Sequence, residues 1–277
     1  MVAHVRLGTS SEEAPVAVAL HGITSNSRAW LAVARALGDR AALVALDLRG
    51  RGDSRGLPGP YGLDAHVNDT LELLDALELE RAVLVGHSLG AYIVARLGAQ
   101  NPERVRALVL VDGGLPIPGG EDVDLDAFLG PALARLKLRF DSRERYRAWW
   151  RQHPAFKGGD FTDTDLDAYA DHDLVDGRSS VVEQAVREDA AALVKSAEAA
   201  HELGVPAQLL CAERGLVDDP NPMQPLELAQ AWAGAEPQRR SAQFVPDTNH
   251  YTLVFGARGA AAVADAIAAM VVRWTSP

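Results

Sequence analysis

The chain has a single cysteine and no apolar run long enough to cross a membrane. Cys211 alone excludes an internal disulfide, and its place in the run AQLLCA is typical of a small buried strand residue. A membrane-spanning helix needs roughly 20 apolar residues, which no segment approaches, and the N-terminal sequence MVAHVRLGTSSEEAP has no apolar signal-peptide core. We therefore expect a soluble, cytoplasmic protein.

Metal-binding motifs and clusters of positive charge are also lacking. The zinc and calcium spacings CxxC, HExxH and EF-hand do not occur, so we expect no metal site and no cofactor. The chain carries 27 Lys and Arg against 38 Asp and Glu, a net charge of −11, and its basic residues form no stripe. Nucleic acid and membrane surfaces are therefore not expected as partners, and the oligomeric state is left open.

Short apolar runs are present, and they alternate with amphipathic helical patterns. With 48% hydrophobic residues in 277, the chain can build a sizeable core. Fully apolar strands separated by helices are typical of an α/β fold with a mostly parallel sheet covered on both faces. The predicted strands are Val5–Leu7, Val16–Leu20, Ala41–Leu46, Ala82–Val85, Val105–Val111, Val205–Ala212 and Ala242–Val245. The predicted helices between and after them include Ser27–Leu37, Tyr61–Leu77, Leu226–Trp232 and Gly256–Trp274.

The alternation stops between residues 115 and 204. A linker rich in proline and glycine (Pro116, Pro118, Gly119, Gly120) is followed by helical patterns with no strand between them. We expect a helical cap over the carboxyl edge of the sheet, inserted into a core formed by residues 1–114 and 205–277. The predicted cap helices are Leu125–Leu138, Ser142–Gln152, Thr162–Leu174 and Ser179–Ala200. Large apolar side chains of the cap either line a pocket or form the cap's own core: Phe128, Leu133, Leu136, Phe140, Tyr146, Trp149, Trp150 and Phe156.

A nucleophile motif lies where one buried strand passes into a helix. Gly86-His87-Ser88-Leu89-Gly90 fits the pattern G-x-S-x-G, with an apolar run before it and a helical pattern after it. A serine on so sharp a turn takes a strained backbone conformation, and side chains at the two glycine positions would collide with the turn. The pattern predicts that the Ser88 hydroxyl projects from the carboxyl edge of the sheet.

A serine hydroxyl needs a base, and His250 is the histidine placed to supply one. It lies in the loop after the last predicted strand, on the side of the sheet where Ser88 projects, and it follows the nucleophile in the chain. The side chain of His87 is expected to point away from that of Ser88. The remaining histidines have no such placement: His4, His21, His66, His153, His172 and His201.

The loop after the second predicted strand is a candidate oxyanion hole. Val16–Leu20 ends at His21 and Gly22, and glycine lets the chain approach a substrate closely. The expected donors are the backbone N–H groups of Ile23 and Leu89. We interpret His21 as a brace for this loop rather than as a base or a metal ligand.

A charged, glycine-rich turn follows the third predicted strand. Asp47–Ser54 reads DLRGRGDS, in which the glycines predict tight turns. We interpret the alternating charges as a turn held together by its own Asp–Arg pairs, rather than as a binding site.

Taken together, these segments resemble the α/β-hydrolase family. The resemblance covers nearly the whole chain: the His21-Gly22 loop, the D-x-R-G-x-G-x-S turn at Asp47–Ser54, GHSLG at Gly86–Gly90, the helical insertion, and Asn249-His250. The combination is highly specific for the fold and weakly specific for the substrate. It implies Ser88 as the nucleophile, His250 as the general base, and Ile23 and Leu89 as backbone oxyanion donors.

The third member of the implied triad departs from the pattern of many relatives. Those relatives carry an aspartate in a segment like G-x-x-D after the strand equivalent to Ala207–Cys211, whereas this chain has a glycine, Gly215, at that position. Asp218 is close behind it, and Asp219 and Glu213 are further alternatives. Asp112, which ends the strand after the nucleophile's helix, resembles the placement of the acid in haloalkane dehalogenases and some lactone hydrolases. Asp112 is the preferred candidate, and Asp218 is the main alternative.

The resemblance implies a serine hydrolase that cleaves an ester-type bond, a carboxylic ester or a lactone, through an acyl-enzyme. The aromatic residues of the cap favour a small, mainly apolar substrate. Two alternatives share the same residues. One is a carbon–carbon bond hydrolase or cofactor-free lyase, and the other is a non-catalytic small-molecule receptor.

Overall fold

The computed structural model describes residues 1–117, 124–158, 160–195 and 197–275. Its strands are β1 His4–Gly8, β2 Val16–Leu20, β3 Ala42–Leu46, β4 Ala82–His87, β5 Val105–Val111, β6 Leu174–Val175, β7 Arg178–Ser179, β8 Ala207–Arg214 and β9 Arg240–Asn249. Its helices are α1 Leu31–Leu37, α2 Leu63–Ala76, α3 Leu89–Gln100, α4 Leu125–Lys137, α5 Arg143–Arg151, α6 Asp163–Asp173, α7 Glu183–Lys195, α8 Leu226–Ala235, α9 Thr252–Phe255 and α10 Ala257–Thr275.

The centre of the molecule is a sheet of 7 strands in the order β1-β3-β2-β4-β5-β8-β9. Strand β1 pairs antiparallel with β3, and the other neighbours pair in parallel. The predicted mostly parallel sheet is therefore confirmed. In a parallel sheet all carboxyl ends lie at one edge, so the loops after β2, β4, β5, β8 and β9 meet there.

The strands are apolar along their whole length because both faces of the sheet are covered. Alternate residues of β4 enter different clusters: Val83 and Val85 pack in the layer that contains α1 and α10, whereas Leu84 packs in the layer that contains α2 and α3. Side chains alternate between the faces of a strand, so one continuous apolar run supplies both layers. Burial of these residues is the main favourable contribution to folding of the core.

Residues 115–204, named the insertion here, connect β5 to β8 and contain α4 to α7. The prediction that this segment has no strand is wrong, because β6 and β7 form an antiparallel hairpin. Asp176 and Gly177 make its turn with φ of 50° and 74°. An Asp-Gly pair is the residue choice that such hairpin turns require, so the sequence did contain the signal.

Other predicted bounds differ at their ends. The single helix predicted over Ser179–Ala200 is replaced by β7, by α7 and by a short 3₁₀ turn at Ala197–His201. The last strand is longer than the predicted Ala242–Val245, and it ends at Asn249, directly before His250. The predicted linker lies partly outside the described residues, since Pro118, Gly119 and Gly120 are not among them.

The insertion has an apolar cluster of its own, and it also shares a cluster with the sheet. Leu133 and Leu136 pack with residues of α7, apart from the sheet. Tyr146, Trp150 and Phe156 instead belong to the cluster that contains α1 and α10. Across the part of the chain that the structure describes, no helix combines the length and the apolar character needed to cross a membrane.

Candidate active site

Ser88 lies on a sharp turn between the end of β4 and the start of α3. Its φ is 54°, a left-handed conformation that is costly for a residue with a side chain. A Cβ on Gly86 would lie 2.2 Å from the carbonyl oxygen of Gly90, and a Cβ on Gly90 would lie 2.1 Å from that of Leu20. Only glycine fits at both positions, which is the steric reason for the G-x-S-x-G spacing. The Ser88 N–H donates to the carbonyl of Val111, 3.0 Å away on the next strand.

His250 directly follows β9 at the same edge of the sheet. Its Nδ1 lies 2.7 Å from Oδ2 of Asp112. Its backbone is held on both sides, because its N–H donates to the carbonyl of Gly215 at 3.4 Å and its carbonyl accepts from Nε2 of His87 at 2.9 Å. Burial holds the pKa of His87 well below its usual value, so His87 is a neutral donor. The residue before Ser88 therefore fixes the backbone of His250.

Asp112 is buried at the end of β5, with no exposure of its side chain. Oδ2 accepts from His250, and Oδ1 accepts from the N–H of Ala212 at 3.1 Å. The backbone N–H of Asp112 in turn donates to Leu210 at 2.8 Å. Both neighbours belong to β8, so adjacent strands fix the carboxylate that holds the imidazole.

The alternative acids are engaged elsewhere. Oδ1 of Asp218 accepts from Nε of Arg214 at 2.6 Å and from Nδ2 of Asn249 at 3.1 Å, and its side chain is 42% exposed. Asp219 accepts from the N–H of Asn221 within its own loop, and Glu213 accepts from the N–H of Asp247. The structure thus brings Asp112, and not Asp218, to His250.

The backbone N–H groups of Ile23 and Leu89 are the expected donors of an oxyanion hole. Within the described residues, neither Ile23 nor Leu89 donates its N–H to a protein acceptor. The Ile23 peptide is held from its other side, because Nε and Nη2 of Arg51 donate to its carbonyl at 3.0 and 2.8 Å. The buried guanidinium of Arg51 therefore holds the carbonyl of Ile23, while the N–H of the same residue stays available.

His21 braces the same loop with both ring nitrogens. Nδ1 donates to the carbonyl of Gly22 at 2.8 Å, and Nε2 accepts from the N–H of Leu48 at 3.0 Å. Burial lowers the pKa of His21 to about 4, so the ring is neutral at physiological pH and can accept at Nε2. These contacts match the interpretation of His21 as a brace.

The turn at Asp47–Ser54 is not held by its own Asp–Arg pairs, as the sequence had suggested. Arg49 pairs with Asp69 of α2, at 2.6 Å, and Arg51 pairs with Asp189 of α7, at 2.6 Å with both side chains fully buried. Asp47 accepts from Nε2 of His172 of α6 at 2.7 Å. Spacing within the turn could not reveal these partners, because they come from distant parts of the chain.

Asp47, Asp53 and His172 have potential ligand atoms within 4.8 Å of one another. The Asp47 carboxylate already accepts hydrogen bonds from the N–H groups of Ser27 and Asp53 as well as from His172. Because protein donors use both of its oxygens, these residues do not fit a metal site.

Ser88 and His250 line one cavity of about 370 Å³, within the range of small-molecule sites. The insertion supplies much of the facing wall. Its lining residues include Leu129, Arg135, Trp149, Trp150, His153 and Tyr169. Of the large apolar residues expected either to line a pocket or to form the cap's own core, Trp149 and Trp150 line this cavity, whereas the others pack in apolar clusters: Leu133, Leu136, Phe140, Tyr146 and Phe156. The Phe128 side chain lies outside the described residues.

Arg135 joins the insertion to the candidate oxyanion loop. Its Nη2 donates to the carbonyl of Thr24 at 2.8 Å, and its Nη1 donates to Asp173 at 2.6 Å and to the hydroxyl of Tyr146 at 2.7 Å. The guanidinium also lies over the ring of Trp150, at 5.0 Å from its centre. Its charge is therefore neutralised by a buried carboxylate, although the side chain reaches the cavity.

Sequence reasoning missed several lining residues. Tyr251 directly follows His250, so its position next to the candidate base was a usable signal. His153 and Arg135 carried no signal in the sequence, because only the packing of the insertion brings them to the cavity.

Most of the chain matches a family of known proteins. Residues 15–253 match a family model described as alpha/beta hydrolase fold. Uncharacterized protein Rv2715 of Mycobacterium tuberculosis is 37% identical over 100 residues, 36% of this chain and 29% of that protein. The protein named "Putative carbamate hydrolase RutD" of Klebsiella pneumoniae (strain 342) is 40% identical over 105 residues, 38% of this chain and 40% of that protein. The aligned stretches thus span less than half of either relative.

Among solved structures, that of E-2-(acetamidomethylene)succinate hydrolase is similar with a TM-score of 0.79. The two chains are 23% identical, and the similarity covers 97% of this chain and 94% of that one. At this identity the likeness shows a shared fold, and it extends through the insertion.

Proposed function

Because this chain belongs to the α/β-hydrolase family, we propose that it is a serine hydrolase acting on an ester-type bond of a small molecule. Ser88 is the proposed nucleophile, His250 the general base and Asp112 the acid that orients the base. The observation that carries the proposal is the buried hydrogen bond of 2.7 Å between Asp112 and His250, which line the same cavity as Ser88.

The proposed chemistry starts from the tautomer of His250. A proton on Nδ1, donated to Asp112, leaves Nε2 of the neutral ring free to accept the proton of the Ser88 hydroxyl. Ser88 Oγ then attacks the carbonyl carbon of the substrate. Asp112 keeps its charge and stabilises the imidazolium that forms.

The developing oxyanion accepts hydrogen bonds from the N–H groups of Ile23 and Leu89 in this proposal. Support comes from their lack of a protein acceptor in the described chain and from the grip of Arg51 on the Ile23 carbonyl. Preorganised donors of this kind need no rearrangement as charge develops. His250 next protonates the leaving alcohol and then activates water, which hydrolyses the acyl-enzyme.

The insertion is proposed to act as a cap over this site. It lines the cavity with apolar and aromatic side chains, which favours a small, mainly apolar substrate, either a carboxylic ester or a lactone. A carbamate is a second candidate. It is supported by the relative from Klebsiella named for carbamate hydrolysis, which is 40% identical over 38% of this chain.

Labelling with a fluorophosphonate, followed by peptide mapping, tests the proposal directly. We expect the label on Ser88, and no label on the Ser88→Ala variant with its fold intact. A screen of esters, lactones and carbamates of graded chain length then identifies the bond that is cleaved. Loss of labelling in the wild-type protein would favour a non-catalytic receptor. Labelling without a trapped acyl-enzyme from any slow ester would favour carbon–carbon bond chemistry.

A further inference from the structure

His153 is a polar side chain that lies beside aromatic residues in the wall that the insertion contributes to the cavity. It lies between α5 and a 3₁₀ turn at Pro154–Phe156, and it lines the cavity. Its ring centre is 5.6 Å from that of Trp149, 5.5 Å from that of Trp150 and 5.3 Å from that of Tyr251. Three aromatic rings therefore hold the imidazole in place, so its nitrogens have fixed positions.

The hydrogen bonds of His153 define which nitrogen carries the proton. Nδ1 accepts from the N–H of Ala155 at 3.3 Å, which makes His153 the cap of the 3₁₀ turn. Burial, with a smaller effect from the charge of Arg135, lowers the pKa of His153 to about 4. The neutral ring must then carry its proton on Nε2. Within the described part of the chain, Nε2 has no hydrogen-bond partner, so His153 keeps one unpaired donor.

The charge around this donor favours an uncharged ligand. Of the described side chains that line the cavity, Arg135 is the one arginine or lysine, and Asp173 already neutralises it. An anionic group beside His153 would therefore be desolvated without a free positive partner, which is costly. A neutral oxygen pays no such penalty. It also satisfies an N–H that an apolar ligand would leave unpaired after displacing water.

Tyr251 places this donor close to the proposed chemistry. Its ring centre lies 5.3 Å from that of His153 and 5.9 Å from that of His250. A ligand whose reacting carbonyl lies at Ser88 can thus extend along Tyr251 to reach His153.

We propose that His153 is a specificity-determining residue, whose Nε2–H donates a hydrogen bond to an uncharged acceptor oxygen of the substrate away from the bond that is cleaved. The role of His153 in the reaction rests on the proposed function, whereas its role in binding does not. The substrate class is then a neutral ester that carries a second oxygen, such as a ketone or an ether, on an apolar frame.

Matched pairs of esters test this inference. Phenyl levulinate is compared with its isostere in which a =CH₂ group replaces the ketone oxygen. In longer homologues of both esters, this group lies one carbon further from the ester at each step. We expect the wild-type protein to prefer the keto ester at one chain length by about 10-fold in kcat/KM, the value of one hydrogen bond. Equal values throughout the series would overturn the proposal.

Two variants separate the donor from the turn cap. In His153→Gln the amide nitrogen takes the place of Nε2, so we expect a preference of about 3-fold or more to remain. In His153→Asn the amide oxygen can still accept from Ala155, but the amide nitrogen falls short of the Nε2 position, so stability is kept and the preference falls to about 1. If His153→Asn keeps the wild-type preference, His153 is only a cap.

Ile117→Val is the matched control, because Ile117 lines the same cavity and has no donor. It should change kcat/KM for both esters of a pair alike. Calorimetry measures binding of the same esters to the Ser88→Ala variant, and this measurement does not require turnover. If binding shows a His153-dependent preference but the wild type does not hydrolyse the esters, the subsite is upheld and the proposed function is overturned. If the wild type hydrolyses both esters of each pair at equal rates, the proposed function is upheld and the subsite is overturned.

Discussion

Two regions of the molecule each contain a buried aspartate that accepts a hydrogen bond of 2.7 Å from a histidine. At the end of β5, Asp112 accepts from Nδ1 of His250. In the loop after β3, Asp47 accepts from Nε2 of His172, which belongs to α6 of the insertion. The first histidine lines the cavity beside Ser88, whereas the second fastens the insertion to the core.

The difference between the pairs shows that a carboxylate–histidine contact does not by itself make an active site. Asp47 accepts two further backbone N–H groups, and its histidine bonds through Nε2, the nitrogen that a general base would need. Asp112 instead holds its histidine through Nδ1, which leaves Nε2 available. Two features distinguish the proposed active site from the pair that attaches the insertion. Its histidine is bonded through Nδ1, and Ser88 lines the same cavity.

The largest expected effect is that of Asp112→Asn. An asparagine keeps the shape but can stabilise the wrong imidazole tautomer, and it cannot stabilise the imidazolium. We expect kcat for the best ester to fall by about a thousand-fold or more, with the circular dichroism spectrum unchanged. Steady-state kinetics with that ester measure the effect. Activity within about 10-fold of the wild type would show that the Asp112–His250 pair, like the Asp47–His172 pair, is not needed for catalysis.

Moving the acid to the position used by many relatives is expected to fail. A Cβ at Gly215 would lie 2.2 Å from the carbonyl oxygen of Asn221, a contact that the backbone can relieve only by shifting. The double variant Asp112→Asn/Gly215→Asp should therefore stay as inactive as Asp112→Asn. It should also lose about 1–3 kcal/mol of unfolding free energy in chemical denaturation. Restored turnover would mean that this loop can adopt the register of those relatives.

His172→Gln tests the attaching pair through its pH dependence. The hydrogen bond to Asp47 raises the pKa of His172 above its usual 6.5. Despite burial, the hydrogen bond and the charge of His172 lower the pKa of Asp47 to about 2. The pair therefore stabilises the folded state most between about pH 4 and 6.5. Its contribution declines as the pH rises through the folded pKa of His172, and also as the pH falls toward 2.

We expect His172→Gln to lower Tm by about 2–4 °C near pH 6, corresponding to about 1 kcal/mol, and by less at pH 9. Its kcat should change little compared with that of Asp112→Asn. His201→Gln, which removes an exposed histidine, is the control and should show no such pH dependence. An equal loss of Tm at both pH values would contradict the proposed charge of the pair.

The smallest effect is expected for Asp218→Asn. Asp218 is partly exposed and pairs with Arg214, and the hydrogen bond from Arg214 lowers its pKa. Exposed pairs of this kind contribute about 0–1 kcal/mol. Asn249 keeps its second bond, of 2.8 Å, to the carbonyl of Ala155. We therefore expect kcat within about 3-fold of the wild type. A loss as large as that of Asp112→Asn would make Asp218 the functional acid.

Local sequence was sufficient for the parts of the fold that depend on neighbours in the chain. The apolar runs predicted the strands because burial on both faces requires them, and Gly86 is required by a contact with Gly90 in the same turn, whereas Gly90 is required by a contact with Leu20 of the distant β2. The prediction failed where an element boundary depended on pairing, as in the hairpin of β6 and β7 and the extension of β9 to Asn249.

The amino-acid sequence by itself determined the alternation of strands and helices, the strained serine turn and the short set of carboxylates that could serve the histidine. Only the tertiary structure chose among those carboxylates, because Asp112 and His250 are 138 positions apart and meet through the order of the strands. The same holds for Arg51 with Asp189 and for His153 at the cavity wall. Steric limits on the backbone act over a few residues, whereas ion pairs and cavities are formed by whatever the packed layers bring together.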